Sequence, residues 1–303
     1  MSQPDSTMKT IVTATILCVV CSFAVSAAAV ALRPRQEENK VLDRQRNILD
    51  AAGLSLGEFG KPAAELDREQ IETLWAWVSP ELVDLETGEV NTDFVGEEAE
   101  KYDPREAAKK KEDSIEITDP QFDIGVPRRE KIARVYYVKK PGSEKVEMVV
   151  LPVYGKGLWS TLYGYMALKN DLETIAGLTF YEHAETPGLG GEVDNTKWKA
   201  QWVGNKLYDT GGNPAARVAK GPAPDGDEFA VDGLSGATIT CRGVTNLVRY
   251  WAGPNGYGPF LDKVKQRLTG DASAEADQPE SSVESGVEQY DIDNVGPKEP
   301  VGE

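Results

Sequence analysis

Along this chain the first unbroken pattern is an uncharged apolar run from Thr10 to Leu32, closed by Arg33 and Arg35. As a helix its 23 residues extend roughly 34 Å, enough to cross a bilayer core. Val25-Ser26-Ala27-Ala28-Ala29 offers small residues at which a signal peptide could be cleaved. The run is longer than a usual signal core, and the two arginines resemble a stop-transfer flank, which favours a retained anchor. Beyond it, Gln36 to Leu54 reads as a helix with Val41, Leu42, Ile48 and Leu49 apolar among charges, stopping at Gly53. A second helical stretch spans Asp67 to Trp77, with Leu66, Ile71, Leu74 and Trp75 on one side. Ser79 to Ile117 is charge-rich and weakly patterned, and Lys109-Lys110-Lys111 within it reads as solvated.

Alternation begins at Ile132. Ala133 to Val138 and Val146 to Leu151 alternate around the turn Pro141-Gly142-Ser143, the pattern of a β-hairpin. Gly155-Lys156-Gly157-Leu158-Trp159 breaks the sheet, and Leu178 to His183 reads as a further strand. Helical periodicity returns over Ile239–Trp251 and Pro259–Leu268, with Gly270 as a stop. The segments expected are an N-terminal flank (1–9), a transmembrane helix (10–32), a helical and charged connecting region (33–130), a folded domain (131–270) and a tail (271–303). The fold class expected is α+β, with a central antiparallel sheet flanked by helices.

Composition narrows the chemistry. The 303 residues carry 33 Lys+Arg against 50 Asp+Glu, a net charge of −17, so no nucleic-acid footprint exists. Over half of that charge lies beyond Gly270 in a stretch poor in apolar groups, expected to be disordered. Three cysteines and one histidine cannot build a Cys₄ or multi-histidine centre, and no metal site is expected. Cys18 and Cys21 fall inside the apolar run, where thiolates are unfavourable, and read as packing residues. Redox work by this chain therefore requires an organic cofactor.

Two segments could supply a site. His183-Ala184-Glu185-Thr186-Pro187-Gly188-Leu189-Gly190-Gly191 is a turn that lets backbone approach a flat ligand, or simply a strand-end loop. Position 193 is Val where a dinucleotide fingerprint needs its third Gly. Asp232-Gly233-Leu234-Ser235-Gly236-Ala237-Thr238 opens a helix, where free N–H groups favour an anion such as phosphate. Ordinary capping by Thr238 or Thr240 accounts for the same spacing. His183 reads as a packed or surface imidazole, and no histidine adjoins Ser235 or Thr238 to support triad hydrolysis.

Taken together, the two segments carry a resemblance. Asp232 to Thr238 resembles the D-x-x-S/T-G-A-T signal read by flavin transferases, and His183 to Gly190 resembles the companion loop of the FMN-binding domain bearing it. Arg33-Pro34-Arg35-Gln36-Glu37-Glu38-Asn39-Lys40, Tyr154-Gly155-Lys156-Gly157-Leu158-Trp159-Ser160 and Gly190-Gly191-Glu192-Val193-Asp194-Asn195 likewise resemble the NqrC family, the covalent-FMN subunits of the sodium-translocating NADH:quinone reductase. The resemblance covers roughly residues 8–270. RnfG, the corresponding component of the Rnf electron-transport complex, shares the anchor, the FMN domain and the signal. The long segment before the first hairpin and the Gln36-Glu37-Glu38-Asn39-Lys40 run look like the sodium-pump family.

The resemblance implies covalent FMN, joined to Thr238 by a phosphoester that a flavin transferase makes from FAD with Mg²⁺. Thr238 would be an attachment point and not a turnover catalyst. It further implies that Asp232 presents the acceptor, that Ser235, Gly236 and Ala237 keep its approach uncrowded, and that Glu185, Thr186 and Leu189 neighbour the flavin, with Trp159 a lesser candidate. The implied activity is that of an electron-carrier subunit, incomplete alone, in a multi-subunit Na⁺-translocating NADH:ubiquinone reductase. Electrons would pass one at a time from an iron–sulfur centre to a second flavin on the way to ubiquinone. The implied partners are the other reductase subunits, the transferase and membrane lipid. The implied location is the bacterial inner membrane with the FMN domain in the periplasm, although Lys9 against Arg33 and Arg35 weighs slightly toward a cytoplasmic body. A membrane-anchored binding module without redox chemistry is the reading of a different class.

Overall fold

The computed structural model describes residues 7–118, 121–143 and 145–276. Its first element, α1 (Thr7–Ala51), is a single helix of 45 residues with Pro34 inside it. The anchor and the Gln36 helix, expected as two segments, are therefore one. Proline removes a single hydrogen bond to the carbonyl four residues back, and the Ala- and Glu-rich flanks continue the helix on both sides. Every residue from Thr7 to Val41 is exposed, whereas Ile48, Leu49 and Ala51 are buried. The helix thus leaves the body as a free rod, and its apolar part is long enough to cross a membrane.

Short elements follow: α2 (Leu54–Phe59), then α3 (Arg68–Trp75). Asp67 caps α3 reciprocally, accepting from Gln70 N at 2.9 Å while Gln70 Oε1 accepts from Asp67 N at 3.2 Å. Then come β1 (Val78–Asp84), α4 (Glu97–Lys101), α5 (Pro104–Ala107), β2 (Ser114–Glu116) and β3 (Arg128–Glu130). The main strands are β4 (Ile132–Lys139), β5 (Val146–Lys156), β6 (Thr161–Lys169) and β7 (Ile175–Glu182). After these lie α6 (Thr196–Ala200), β8 (Arg217–Val218), β9 (Ala230–Val231), α7 (Thr238–Ala252) and α8 (Gly258–Ala276).

Five strands form one antiparallel sheet in the order β1-β4-β5-β6-β7. The expected hairpin is β4–β5, with Tyr136 opposite Val150. Two strands depart from the sequence reading. β1 lies in the region expected to be a connector, yet it pairs with β4 from Val78↔Val138 to Asp84↔Ile132. Its Pro80 and flanking charges hide the strand pattern, and an edge strand tolerates both. β6 carries Leu162, Met166, Ala167 and Leu168 buried without alternation, as in a strand covered on both faces. The break expected at Gly155–Trp159 is smaller, since β5 runs to Lys156 and β6 starts at Thr161.

Helices cover both faces of the sheet. Ile48 and Leu49 of α1, with Leu66, Ile71 and Leu74, pack on Tyr136, Val138, Val150, Tyr165 and Ala167. Each such buried apolar side chain contributes about 1.5–3 kcal/mol. α7 covers the other face through Val244, Leu247, Val248 and Trp251, all fully buried. Trp251 Nε1 donates to the Tyr154 carbonyl at 2.8 Å, fixing α7 on β5. The segment 33–130 is therefore a working part of the body, supplying the base of α1, α3 and an edge strand. Gly270 does not end α8, which continues to Ala276, so the tail expected from 271 begins helically. The disorder expected of residues 277–303 lies outside the described residues.

Candidate functional site

The two sequence segments meet at one carboxylate. Glu185 is only 5% exposed, in the loop that follows β7. Its Oε1 accepts from Trp159 N at 2.9 Å, Ser160 N at 3.1 Å and Ser160 Oγ at 3.4 Å. Its Oε2 accepts from Leu158 N at 3.2 Å and from Thr240 Oγ1 at 2.7 Å. Burial pushes the carboxyl upward, but the Thr240 hydroxyl and the Trp159, Leu158 and Ser160 amides together outweigh it and hold the group below its ordinary value. The β5–β6 turn, the loop after β7 and the first turn of α7 are thus bound to a single anion. Gly157 and Gly190 allow the approach: a Cβ at Gly157 would stand 2.6 Å from Glu185 Oε1, and one at Gly190 2.6 Å from Thr240 Oγ1.

α7 begins at Thr238 with Ala237 at its N-cap, and no side chain caps it. This overturns the capping reading of the segment, because Thr240 donates to Glu185 and Thr238 is the first helical residue. Ala237 is buried, its N–H donating to the Leu234 carbonyl at 3.1 Å. The amides of Ser235, Gly236, Thr238, Ile239 and Thr240 have no acceptor among the described residues. Ser235, Gly236 and Thr238 are exposed. Free N–H groups at a helix start, with the helix dipole behind them, form an anion-binding end. α7 contains no acidic residue, although the chain as a whole is strongly anionic.

An apolar collar surrounds this end. Trp159 is 66%, Ile239 45%, Leu158 43% and Leu189 43% exposed. Leu189 lies directly over the signal loop, since a Cβ built at Gly236 would come within 2.9 Å of its Cδ2. Gly236 itself has φ +68°, a left-handed conformation that glycine adopts without strain. Exposed apolar side chains beside a cluster of free donors suit a ligand with a flat apolar ring and a phosphate.

Of the residues expected at the site, Thr238, Ser235, Gly236, Ala237, Leu189 and Thr186 come together, Thr186 exposed and its carbonyl accepting from Leu189 N and Gly191 N at 3.1 and 2.9 Å. Glu185 is close but has a different task, its oxygens being committed to backbone and Thr240. Asp232 also departs from expectation. Its Oδ1 accepts from Ala223 N at 2.7 Å and its Oδ2 from Gln201 Nε2 at 3.0 Å, so the carboxylate holds the signal loop against neighbouring loops and not the acceptor hydroxyl. Trp198 Nε1 adds a bond to the Asp232 carbonyl at 2.8 Å. Sequence reasoning named Thr240 only as a cap and missed Leu158 and Ile239; a second hydroxyl two residues past Thr238 was the available signal.

His183 positions the loop. Its Nε2 lies 2.8 Å from Asp194 Oδ2, and its Nδ1 accepts from Glu185 N at 3.2 Å, which sets the proton on Nε2. Cys241 is buried, with its Sγ accepting from Leu234 N at 3.2 Å, and burial raises its thiol pKa. No cluster of three or more His, Cys, Asp or Glu suited to a metal occurs among the described residues. A cleft of about 650 Å³ lined by Leu172, Tyr208, Asp209, Pro254 and Asp262 lies at the far end of α7, away from Thr238.

Comparison with known proteins matches this geometry. The family described as FMN-binding domain matches residues 157–253, from the turn gathered by Glu185 to the end of α7. Among solved structures, NqrC from Shewanella oneidensis has a TM-score of 0.64 at 38% identity, covering 73% of this chain and 95% of its own. The NqrC protein of the Na(+)-translocating NADH-quinone reductase from Parabacteroides distasonis has a TM-score of 0.56 at 25% identity, covering 76% and 96%. The corresponding reductase protein of Yersinia pestis is 43% identical over 263 residues, spanning 86% of this chain and 94% of that protein. That of Pseudomonas aeruginosa is 43% identical over 272 residues, 88% of this chain and 99% of that protein. A sodium-pump component and its FMN-binding domain, expected from five short segments, are thus met along most of the chain: it belongs to the NqrC family of Na(+)-translocating NADH-quinone reductase subunits.

Proposed function

We propose that this chain carries FMN covalently, esterified through its phosphate to Thr238, and serves as a one-electron relay within the membrane reductase. The observation that carries the reading is the uncapped start of α7, where an exposed threonine hydroxyl stands among five unpartnered amides. In maturation, Thr238 Oγ1 forms the new bond to the flavin-side phosphorus of FAD. The pyrophosphate bond breaks, AMP departs and the hydroxyl proton is released, with a Mg²⁺-dependent flavin transferase supplying FAD and catalysis. Bound flavin supplies the capacity to take and give electrons singly.

The chain's own residues do the rest. The free amides of Ser235, Gly236, Thr238, Ile239 and Thr240 hold the phosphate charge, and Glu185 fixes the two loops from which Leu158, Trp159 and Leu189 offer apolar contact to the ring. Asp232 keeps the signal loop in place. The ester prevents loss of the cofactor, so electrons pass between partner subunits through a fixed point. In this reading an iron–sulfur centre is the donor, a second flavin the acceptor, and NADH is oxidised on another subunit.

α1 anchors the chain in the bacterial inner membrane, with lipid around Thr10 to Leu32 and the FMN domain in the periplasm. Fusion of a reporter enzyme active only in the periplasm to residue 270 tests the orientation, and an inactive fusion contradicts it. The attachment is tested by co-expression with the transferase and inspection of a denaturing gel under ultraviolet light. A fluorescent band in the native chain that is absent from Thr238→Ala is the expected result. A native chain without a band overturns the reading.

A further inference from the structure

Arg242 lies four residues after Thr238, so on α7 their Cβ atoms are about 5–6 Å apart on one face. Both side chains are exposed. Arg242 has no hydrogen bond or ion pair among the described residues. The other arginine of α7 is engaged: Arg249 donates to the carbonyls of Ala216 and Ala215 at 3.1 and 2.9 Å. One turn beyond Arg242, Asn246 Nδ2 donates to the Asp123 carbonyl at 2.8 Å, while the Asp123 carboxylate accepts from Gly125 N at 2.7 Å. Arg242 is thus an uncommitted cation one turn from Thr238, on a helix without acidic residues.

We propose that Arg242 is a positioning residue whose guanidinium pairs with the phosphodiester linking Thr238 to the flavin. The inference rests on the attachment reading above. A phosphodiester carries one negative charge, and an extended arginine reaches it from one turn away, complementing the free amides on its other side. During attachment the same guanidinium attracts the incoming pyrophosphate. Afterwards it fixes the start of the ribityl chain and adds positive potential near the ring.

The test uses the full-length chain co-expressed with the flavin transferase, as native protein and as Arg242→Gln, Arg242→Lys and Thr238→Ala. In-gel flavin fluorescence over time gives the rate of attachment, and anaerobic titration of the detergent-solubilised, loaded chains gives the flavin potential. Arg242→Gln is expected to load about two- to fivefold more slowly, with its flavin titrating at a more negative potential and its melting temperature unchanged. Arg242→Lys, which keeps the charge, is expected to load faster than Arg242→Gln. Arg242→Gln loading at the native rate with an unshifted potential overturns the proposal, as does Arg242→Lys loading no faster than Arg242→Gln. A native chain that never acquires a band overturns the attachment reading instead, so the two failures are distinct.

Discussion

The hydroxyl of Thr240 donates to Glu185 Oε2 at 2.7 Å, across 55 residues of sequence. This bond joins the first turn of the helix that presents Thr238 to the loop that presents Leu189. Among the described residues, Glu185 is the acceptor shared by the Thr240 hydroxyl and the amides of Leu158, Trp159 and Ser160. Replacing it by alanine leaves the buried Thr240 hydroxyl and three partly buried amides without this partner. Glu185→Ala should therefore lose about 3 kcal/mol of stability in urea unfolding and load little flavin. Thr240→Val, which removes one donor, should lose about 1 kcal/mol. A Glu185→Ala chain as stable as the native would contradict the junction.

Two carboxylates give opposite pH dependence. Glu185 is held below its ordinary value of 4.5, so its contribution is present above that pH and is lost as the pH falls through the lower folded value. Glu130 is buried at 3% exposure, and burial pushes its pKa up to about 7 against the Tyr154 hydroxyl, which donates to it at 2.6 Å, and Arg129. The folded state then binds the proton more tightly than the unfolded state. Stability on this account is fully present below about pH 4.5 and is lost as the pH rises through 7. Melting curves from pH 5 to 8 should fall with pH in the native chain and flatten in Glu130→Gln. An unchanged slope in the variant would contradict the assignment.

Gly236 combines φ +68° with the Leu189 side chain lying over it. Gly236→Ala should cost about 1–2 kcal/mol from the left-handed backbone, and should slow flavin loading by pressing on Leu189. The double variant Gly236→Ala/Leu189→Ala should recover the steric part and not the backbone part. Unfolding and loading rates of the three variants give the cycle, and strict additivity would place Leu189 elsewhere.

Trp159, two-thirds exposed at the collar, lies on a turn whose amide is fixed by Glu185. An aromatic ring stacked beside a flavin quenches its emission. Trp159→Ala should raise flavin fluorescence per loaded chain, without changing the amount attached as measured by absorbance after denaturation. Equal fluorescence would remove Trp159 from the flavin's surroundings.

The features readable in the sequence are those with a local physical cause. The β4–β5 hairpin alternates, α3 begins with a reciprocal cap at Asp67 and Gln70, and the signal from Asp232 to Thr238 is contiguous. What escaped reading depends on partners distant in sequence. β6 has apolar residues on both faces because helices cover both, and β1 survives Pro80 because it lies at an edge. Arg33 and Arg35 end the apolar run and so divide it from the Gln36 helix in the sequence, but helix propensity on both sides of Pro34 joins the two. At the site, the family resemblance placed Thr238, Gly236 and Leu189 together. It could not separate a carboxylate that meets ligand from one that organises loops, because the amides of Trp159 and Ala223 that occupy Glu185 and Asp232 come from other segments.

The most direct measurement is the intact mass of the chain purified from a host that makes the transferase, followed by fragmentation to locate any adduct. The account predicts the added mass of one FMN less one water, carried on the peptide containing Thr238. An unmodified threonine in that material, or the same adduct on another residue, would contradict it.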